Sequence, residues 1–273
     1  MCRHLVYLGP PASLHELLYA SGHSLYQQSF APRYQRHGTV NADGFGVGWY
    51  PEAGAEPLRY RRAMPMWADT SFAEVATTLR SGCVLAAVRD ATPGFGSDES
   101  CAQPFRAQRL LFSHNGAVSD YAAVDDTLNR PIPVDAMDAR APVDSAALFG
   151  RALRLWRDGT SLPEALAAVV DQCRAITSGR YNLLATDGRQ LAATAAGDSL
   201  FLQHAPTWVL LASEPLDDDT RWTSVPDGSL VTVRSRAPDD PADAAVGPVG
   251  SPPARPATDM PHPAYDITIH DLA

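Results

Sequence analysis

No lysine occurs in the 273 residues, so all 22 basic side chains are arginines, a composition of the kind a GC-rich bacterial genome produces. The arginines form no stripe and are outweighed by 31 acidic residues, which leaves a formal charge of −9. A DNA- or RNA-binding surface is therefore not expected. No apolar run approaches the ~18 residues that span a bilayer, so no membrane partner is expected either. The start, Met1-Cys2-Arg3-His4, lacks the charged and apolar segments of a secretory signal, and cytoplasmic residence with reduced thiols is the expectation. The four cysteines contain no C-x-x-C pair and no H-E-x-x-H occurs, so neither a metal nor a cofactor is expected. Repeats of solenoid length are missing as well.

What is present suits a packed globular chain, with 45% apolar and 19% charged residues. A layered unit of this length can form a single domain, here residues 2–273. Ala237 to His262 is rich in Pro, Ala, Asp and Gly with almost no large apolar residue, which predicts a loop or linker. Serine followed three residues later by glutamate marks helix starts at Ser13/Glu16, Ser71/Glu74 and Ser161/Glu164. Further helices are predicted near 123–128, 144–157 and 163–176. Short apolar or alternating runs predict strands at 3–8, 45–50, 58–62, 83–88 and 110–113, and again at 181–186, 190–195, 199–203, 208–212, 230–233 and 265–270. Asn115-Gly116 reads as a turn ending one strand, and Asp187-Gly188 as a hairpin. Strands, then helices, then strands again imply two sheets with helices outside them.

Cys2 carries the most chemistry. Removal of Met1 would leave a thiol and an α-amine on one residue, and an α-amine of pKa about 7.7–8.0 can accept the thiol proton at neutral pH. The same residue also reads as an ordinary processed N-terminus. Asn41-Ala42-Asp43-Gly44-Phe45-Gly46-Val47-Gly48-Trp49 places three glycines at alternate positions of a strand, hence on one face, either for close packing or to line a site. Arg89 follows a buried run and emerges at a strand end, where its planar fork could meet a carboxylate or simply pair with a neighbouring acid. Asn115 and Gly116 could aim an amide and a backbone N–H at one oxygen, or only make a turn. Asp144 opens a helix, as its N-cap or as a receptor for an ammonium group. The scattered remaining histidines, His23 among them, read as surface or satisfied core residues.

Taken together and in this order, these segments resemble the class II glutamine amidotransferase domain, a family of N-terminal-nucleophile enzymes. Cys2 matches its nucleophile, Asn41 to Trp49 its N-x-D-G-x-G-x-x-W segment, Arg89-Asp90-Ala91-Thr92 its R-x-A-T, and His114-Asn115-Gly116 its H-N-G. Val143-Asp144-Ser145 resembles its later acidic motif. The resemblance implies an α+β fold, a four-layer αββα sandwich. It implies that Cys2 attacks and that Asn115 and Gly116 hold the oxyanion. It further implies that Arg89, Thr92, Asp144 and His114 bind the γ-glutamyl unit of a small-molecule substrate. The chain departs from the family pattern at Pro93, where a histidine is usual, and at Cys101-Ala102-Gln103-Pro104 in place of N-A-H-P.

No synthase segment follows the amidotransferase core, so the resemblance implies hydrolysis of a γ-glutamyl amide. The alternatives are an amidotransferase subunit passing ammonia to a separate synthase and an inactive binding protein. The start of the chain, and Ser213-Glu214-Pro215-Leu216 with Trp222, resemble a branch of the family that releases a trimethylammonium-bearing leaving group. Trp49, Tyr50, Tyr60 and Trp67 are the candidates for contacting such a cation. Nothing in the sequence excludes a homo-oligomer.

Overall fold

The computed structural model describes residues 2–52, 54–92, 94–96, 98–235 and 265–272; the stretch expected as a linker, 237–262, lies outside them. Strands β1 (Arg3–Ser13), β2 (Phe45–Trp49), β3 (Leu58–Arg62), β4 (Arg80–Val88), β5 (Phe105–Ala107), β6 (Leu110–Val118) and β7 (Gly179–Thr186) are followed by β8 (Gln190–Ala195), β9 (Phe201–Ala205), β10 (Trp208–Ala212), β11 (Thr223–Ser224), β12 (Ser229–Ser235) and β13 (Tyr265–Asp271). Helices α1 (Leu14–Leu18), α2 (Leu25–Phe30), α3 (Thr70–Val75), α4 (Tyr121–Leu128), α5 (Asp144–Arg157) and α6 (Leu162–Ile176) connect them. A seven-stranded sheet has the order β11-β9-β10-β1-β4-β2-β3, and a six-stranded sheet the order β13-β12-β8-β7-β6-β5. No described helix is long and apolar enough to cross a membrane.

Period-two alternation sets the layering. Along β1, Leu5 and Tyr7 pack outward against Leu14 and Leu18 of α1 and Phe72 of α3. Val6 and Leu8 turn the other way and meet Leu111, Leu184 and Leu191 of the second sheet. On that sheet's outer face, Leu110, Phe112 and Leu183 lie under Phe149, Leu153, Leu166 and Val170 of α5 and α6. Three cores thus separate four layers, the αββα sandwich expected from the sequence. Burying each leucine contributes about 1.5–3 kcal/mol, and a one-residue slip of β1 would reverse every one of its side chains. The register that points Cys2 into the middle layer is therefore enforced by the hydrophobic pattern behind it.

Two predicted capping boxes form, at Ser13/Glu16 and Ser161/Glu164. The third does not. Asp69 caps α3 by accepting from Phe72 N–H at 3.0 Å, which leaves Ser71 inside the helix. Asn115-Gly116 is not a turn: β6 runs straight through it, pairing Asn115 with Asn182 and Gly116 with Tyr181. The reason is steric, since a Cβ on Gly116 would lie 1.9 Å from the Arg180 carbonyl oxygen, so the glycine serves close strand approach. Gly46 and Gly48 have the same use, because a Cβ there would lie 2.3 Å from Gln103 O and 2.7 Å from Leu111 Cδ1. The glycine face of β2 is thereby pressed onto the segment leading into β6.

Candidate active site

Cys2 directly precedes β1, and alternation gives it the inward parity of His4 and Val6. Arg3 pairs with Val88 on β4, so Arg89, one step beyond that strand, is the neighbour of Cys2 across the ladder. The opposite wall comes from β6. His4 Nδ1 meets Ser113 Oγ at 3.1 Å across the gap between the sheets, and Asn115, two residues further along β6, has the same inward parity. Its Nδ2 reaches Ser213 Oγ only at 3.5 Å, and its Oδ1 is buried without a partner. Ser213 Oγ also accepts the His4 N–H at 3.0 Å, which ties Asn115 to the start of β1.

Arg89 is buried. Its Nη2 donates to Gly96 O at 2.8 Å, which holds the turn after β4 against the guanidinium, while Nη1 is buried with no partner. The Asp43 carboxylate accepts from Ala91 N–H at 2.8 Å, and Arg89 N–H donates to Gly44 O, so the N-x-D-G segment braces that turn. Thr92 lies in the same turn, its carbonyl accepting from Phe95 N–H. Burial pushes the Cys2 thiol up; the Arg89 cation and a backbone hydrogen bond from Asp90 pull it down, and Asp144 adds to the rise. Both Arg89 and Asp144 are therefore within electrostatic reach of the sulfur.

Asp144 is the first helical residue of α5, with Val143 rather than Asp144 at the N-cap. Its buried carboxylate accepts from Val118 N–H at 3.0 Å and Ser145 N–H at 2.8 Å, which leaves lone pairs for a further donor. His114 differs from its neighbours. On β6 it faces away from Cys2 toward α5, its Nδ1 on Ser145 Oγ at 2.9 Å and its Nε2 on Arg180 O at 2.9 Å. Gln103 braces this strand by accepting from His114 N–H at 2.5 Å and donating to His114 O at 2.9 Å.

The four aromatics expected to meet a cation do not gather at this end. Trp49 pairs with Val84, roughly 16 Å along β4 from Arg89 at the strand rise of ~3.3 Å per residue. Tyr50 spends its hydroxyl on Arg109 O and Thr186 O. Tyr60 stacks on Phe72 and donates to Asp69, and Trp67 packs against Phe30. Trp49 and Tyr60 thus pack on the outer core, and Tyr50 in the core between the sheets.

The start of the chain and Ser213-Glu214-Pro215-Leu216 carry the resemblance in sequence, but no role for Arg3 or Glu214, which lie behind Cys2, is assigned from it. Arg3 is fully buried; its Nε donates to the Cys2 carbonyl at 2.7 Å and its Nη1 pairs with Glu214 at 3.2 Å. The other Glu214 oxygen meets His23 Nε2 at 2.7 Å and accepts the Arg33 N–H at 2.7 Å. The available signal for a role was an acid two residues past the apolar strand β10, which pairs with β1.

An inward thiol beside an uncommitted amide, a half-committed guanidinium and a buried carboxylate can hold a zwitterionic amino-acid head group and present an acyl carbon to sulfur. Among known proteins, the family described as class II glutamine amidotransferases matches residues 19–208. The γ-glutamyl-hercynylcysteine sulfoxide hydrolase of Mycolicibacterium smegmatis is 42% identical over 235 residues, covering 86% of this chain and 96% of that protein. The enzyme of the same name from Mycobacterium tuberculosis H37Rv is 40% identical over 236 residues, 86% of this chain and 94% of that one. In fold, a class II domain protein of Silicibacter pomeroyi superposes over the full length of both chains with a TM-score of 0.61 at 24% identity. Glutamine phosphoribosylpyrophosphate amidotransferase of Bacillus subtilis superposes with a TM-score of 0.63 at 16% identity, over 85% of this chain and 47% of that one.

Proposed function

The chain belongs to the class II glutamine amidotransferase family, and from that premise we propose that it hydrolyses the γ-glutamyl amide bond of γ-glutamyl-hercynylcysteine sulfoxide, with residues 2–273 as one catalytic unit. The identity to the two mycobacterial hydrolases supports the substrate, because it extends over nearly all of their length. One observation carries the chemistry: the buried, partnerless Nη1 of Arg89 lies on the residue that neighbours Cys2. A buried guanidinium nitrogen without an acceptor is costly, and a substrate α-carboxylate would relieve it.

In this reading Met1 is removed and the Cys2 α-amine takes the thiol proton. The sulfur attacks the γ-carbonyl, whose oxyanion receives hydrogen bonds from Asn115 Nδ2 and the Gly116 N–H. Arg89 and Thr92 bind the α-carboxylate and Asp144 the α-ammonium. The amine leaving group departs with the proton, and water then cleaves the thioester to release glutamate. His114 acts indirectly, holding Gly116 and Ser145 in place.

The deciding assay measures glutamate release from γ-glutamyl-hercynylcysteine sulfoxide and from glutamine. Preference for the sulfoxide supports the proposal. Preference for glutamine would instead favour an ammonia-supplying subunit, and turnover of neither would leave a binding protein.

A further inference from the structure

Arg3 points away from the middle layer, yet its guanidinium curls back onto the carbonyl of its own predecessor. The contact, Nε to Cys2 O at 2.7 Å, fixes the peptide plane that carries the nucleophilic residue. The guanidinium is held in turn by the Glu214 carboxylate, with both side chains fully buried. The other oxygen of that carboxylate meets His23 Nε2 and accepts the backbone N–H of Arg33. A buried ion pair that merely joined two strands would have no need to include the nucleophile's carbonyl. It is also a costly way to obtain stability, since well-packed apolar residues of similar volume commonly do as well or better.

Resting on the reading of Cys2 as nucleophile and its α-amine as base, we infer that Arg3 and Glu214 form a positioning pair: Arg3 orients the Cys2 carbonyl, and hence the amine on the same residue, and Glu214 holds Arg3 there while balancing the cation it places beside that amine. Other charges surround the thiol and the guanidinium: Arg89 after β4 and Asp144 at the start of α5 act on the Cys2 sulfur, and Asp198, between β8 and β9 with its partner Arg180 from β7, acts on Arg3. His4, on β1 itself, is held neutral by burial, with Arg3 and His114 adding to the effect. Arg3 is thus the adjacent cation held by a buried counter-ion, Glu214, that it shares with His23.

The pair makes opposite-sign predictions. A nearby cation disfavours the ammonium form and favours the thiolate. Arg3→Met should therefore move the acid limb of the kcat/KM profile, and the pH dependence of Cys2 alkylation by iodoacetamide, upward by about 0.5–1 pH unit. Glu214→Gln leaves the cation unbalanced and should move both downward by a similar amount. Arg3→Lys keeps the charge without the fork, so its limb should stay near native while kcat falls. The double variant Arg3→Met, Glu214→Leu removes both charges and fills the space, and is the form to use where a single variant does not fold; its limb should also stay near native while kcat falls.

Full-length protein is assayed with γ-glutamyl-p-nitroanilide. Unchanged limbs in the folded single variants, or native kcat in the double variant, would overturn the positioning pair. Should native protein fail both to label at Cys2 and to turn over any γ-glutamyl substrate, the reading of the nucleophile itself falls, and this inference with it.

Discussion

Replacing Arg89 by methionine separates a ligand-holding arginine from a structural one. In the resting protein its Nη2 bonds Gly96 O at 2.8 Å while Nη1 is buried without a partner. The bond contributes about 1 kcal/mol, and an unsatisfied buried N–H costs about 1–3 kcal/mol. The two nearly cancel. Methionine fills similar volume, so stability should change by no more than about 1–2 kcal/mol, a few degrees of Tm at about 2–4 °C per kcal/mol for a chain of this size. Catalysis should respond very differently. Two charge-assisted bonds to a substrate carboxylate contribute about 1.5–3 kcal/mol each, so kcat/KM should fall by about 10²–10⁴. Differential scanning fluorimetry and glutamate-release kinetics on the same preparations give both numbers. Saturating glutamate should raise the Tm of the native protein and not that of Arg89→Met. A Tm drop of about 10 °C or more with kcat/KM within about twofold of native would show that Arg89 only braces the turn after β4.

Intact-mass analysis should find Met1 missing, and Cys2→Ala should abolish hydrolysis while retaining the native Tm; native turnover by that variant would refute the nucleophile. Asn115→Ala should lower kcat by about 10²–10³ with little change in KM, because an oxyanion donor acts mainly on the transition state. The folded-state carboxyl of Glu214 lies below its usual value: burial raises it, and the His23 hydrogen bond, the Arg33 N–H and Arg3 together more than offset that. A depressed folded value gives stability present above the unfolded pKa of about 4.3 and lost as pH falls through the folded one. Urea denaturation from pH 7 to pH 3 should show that loss, and Glu214→Gln should remove part of the slope. For the leaving group, kcat/KM should favour the betaine substrate over glutamine and over its analogue lacking N-methyl groups; parity among the three would remove the proposed substrate while sparing the amidohydrolase.

Much of the site was legible because it sits at strand ends. The apolar run 83–88 announced β4 and so placed Arg89 at its exit, and the alternating glycines of 44–48 announced a face under close packing. Asn115-Gly116 misled locally, since turn propensity and close strand approach call for the same two residues and only the partner strand tells them apart. The aromatics after the glycine strand misled for a related reason. Neighbours in sequence along an extended strand recede by about 3.3 Å per residue, so closeness to a motif in the chain becomes distance in space.

The sequence by itself supplied the candidate nucleophile and the order of the motifs, through the resemblance they carry, and the layering, through periods of two and 3.6 that need no partner to be read. Only the tertiary structure decided which groups converge. Arg89 and Asn115 come from different sheets, and Asp144 from a helix over the second one. Whether Arg89 Nη1 is satisfied, whether His114 faces the substrate or α5, and whether Glu214 reaches Arg3 across 211 positions of chain all depend on burial and register. Those are properties of packed pairs of elements, and no single segment of sequence contains them.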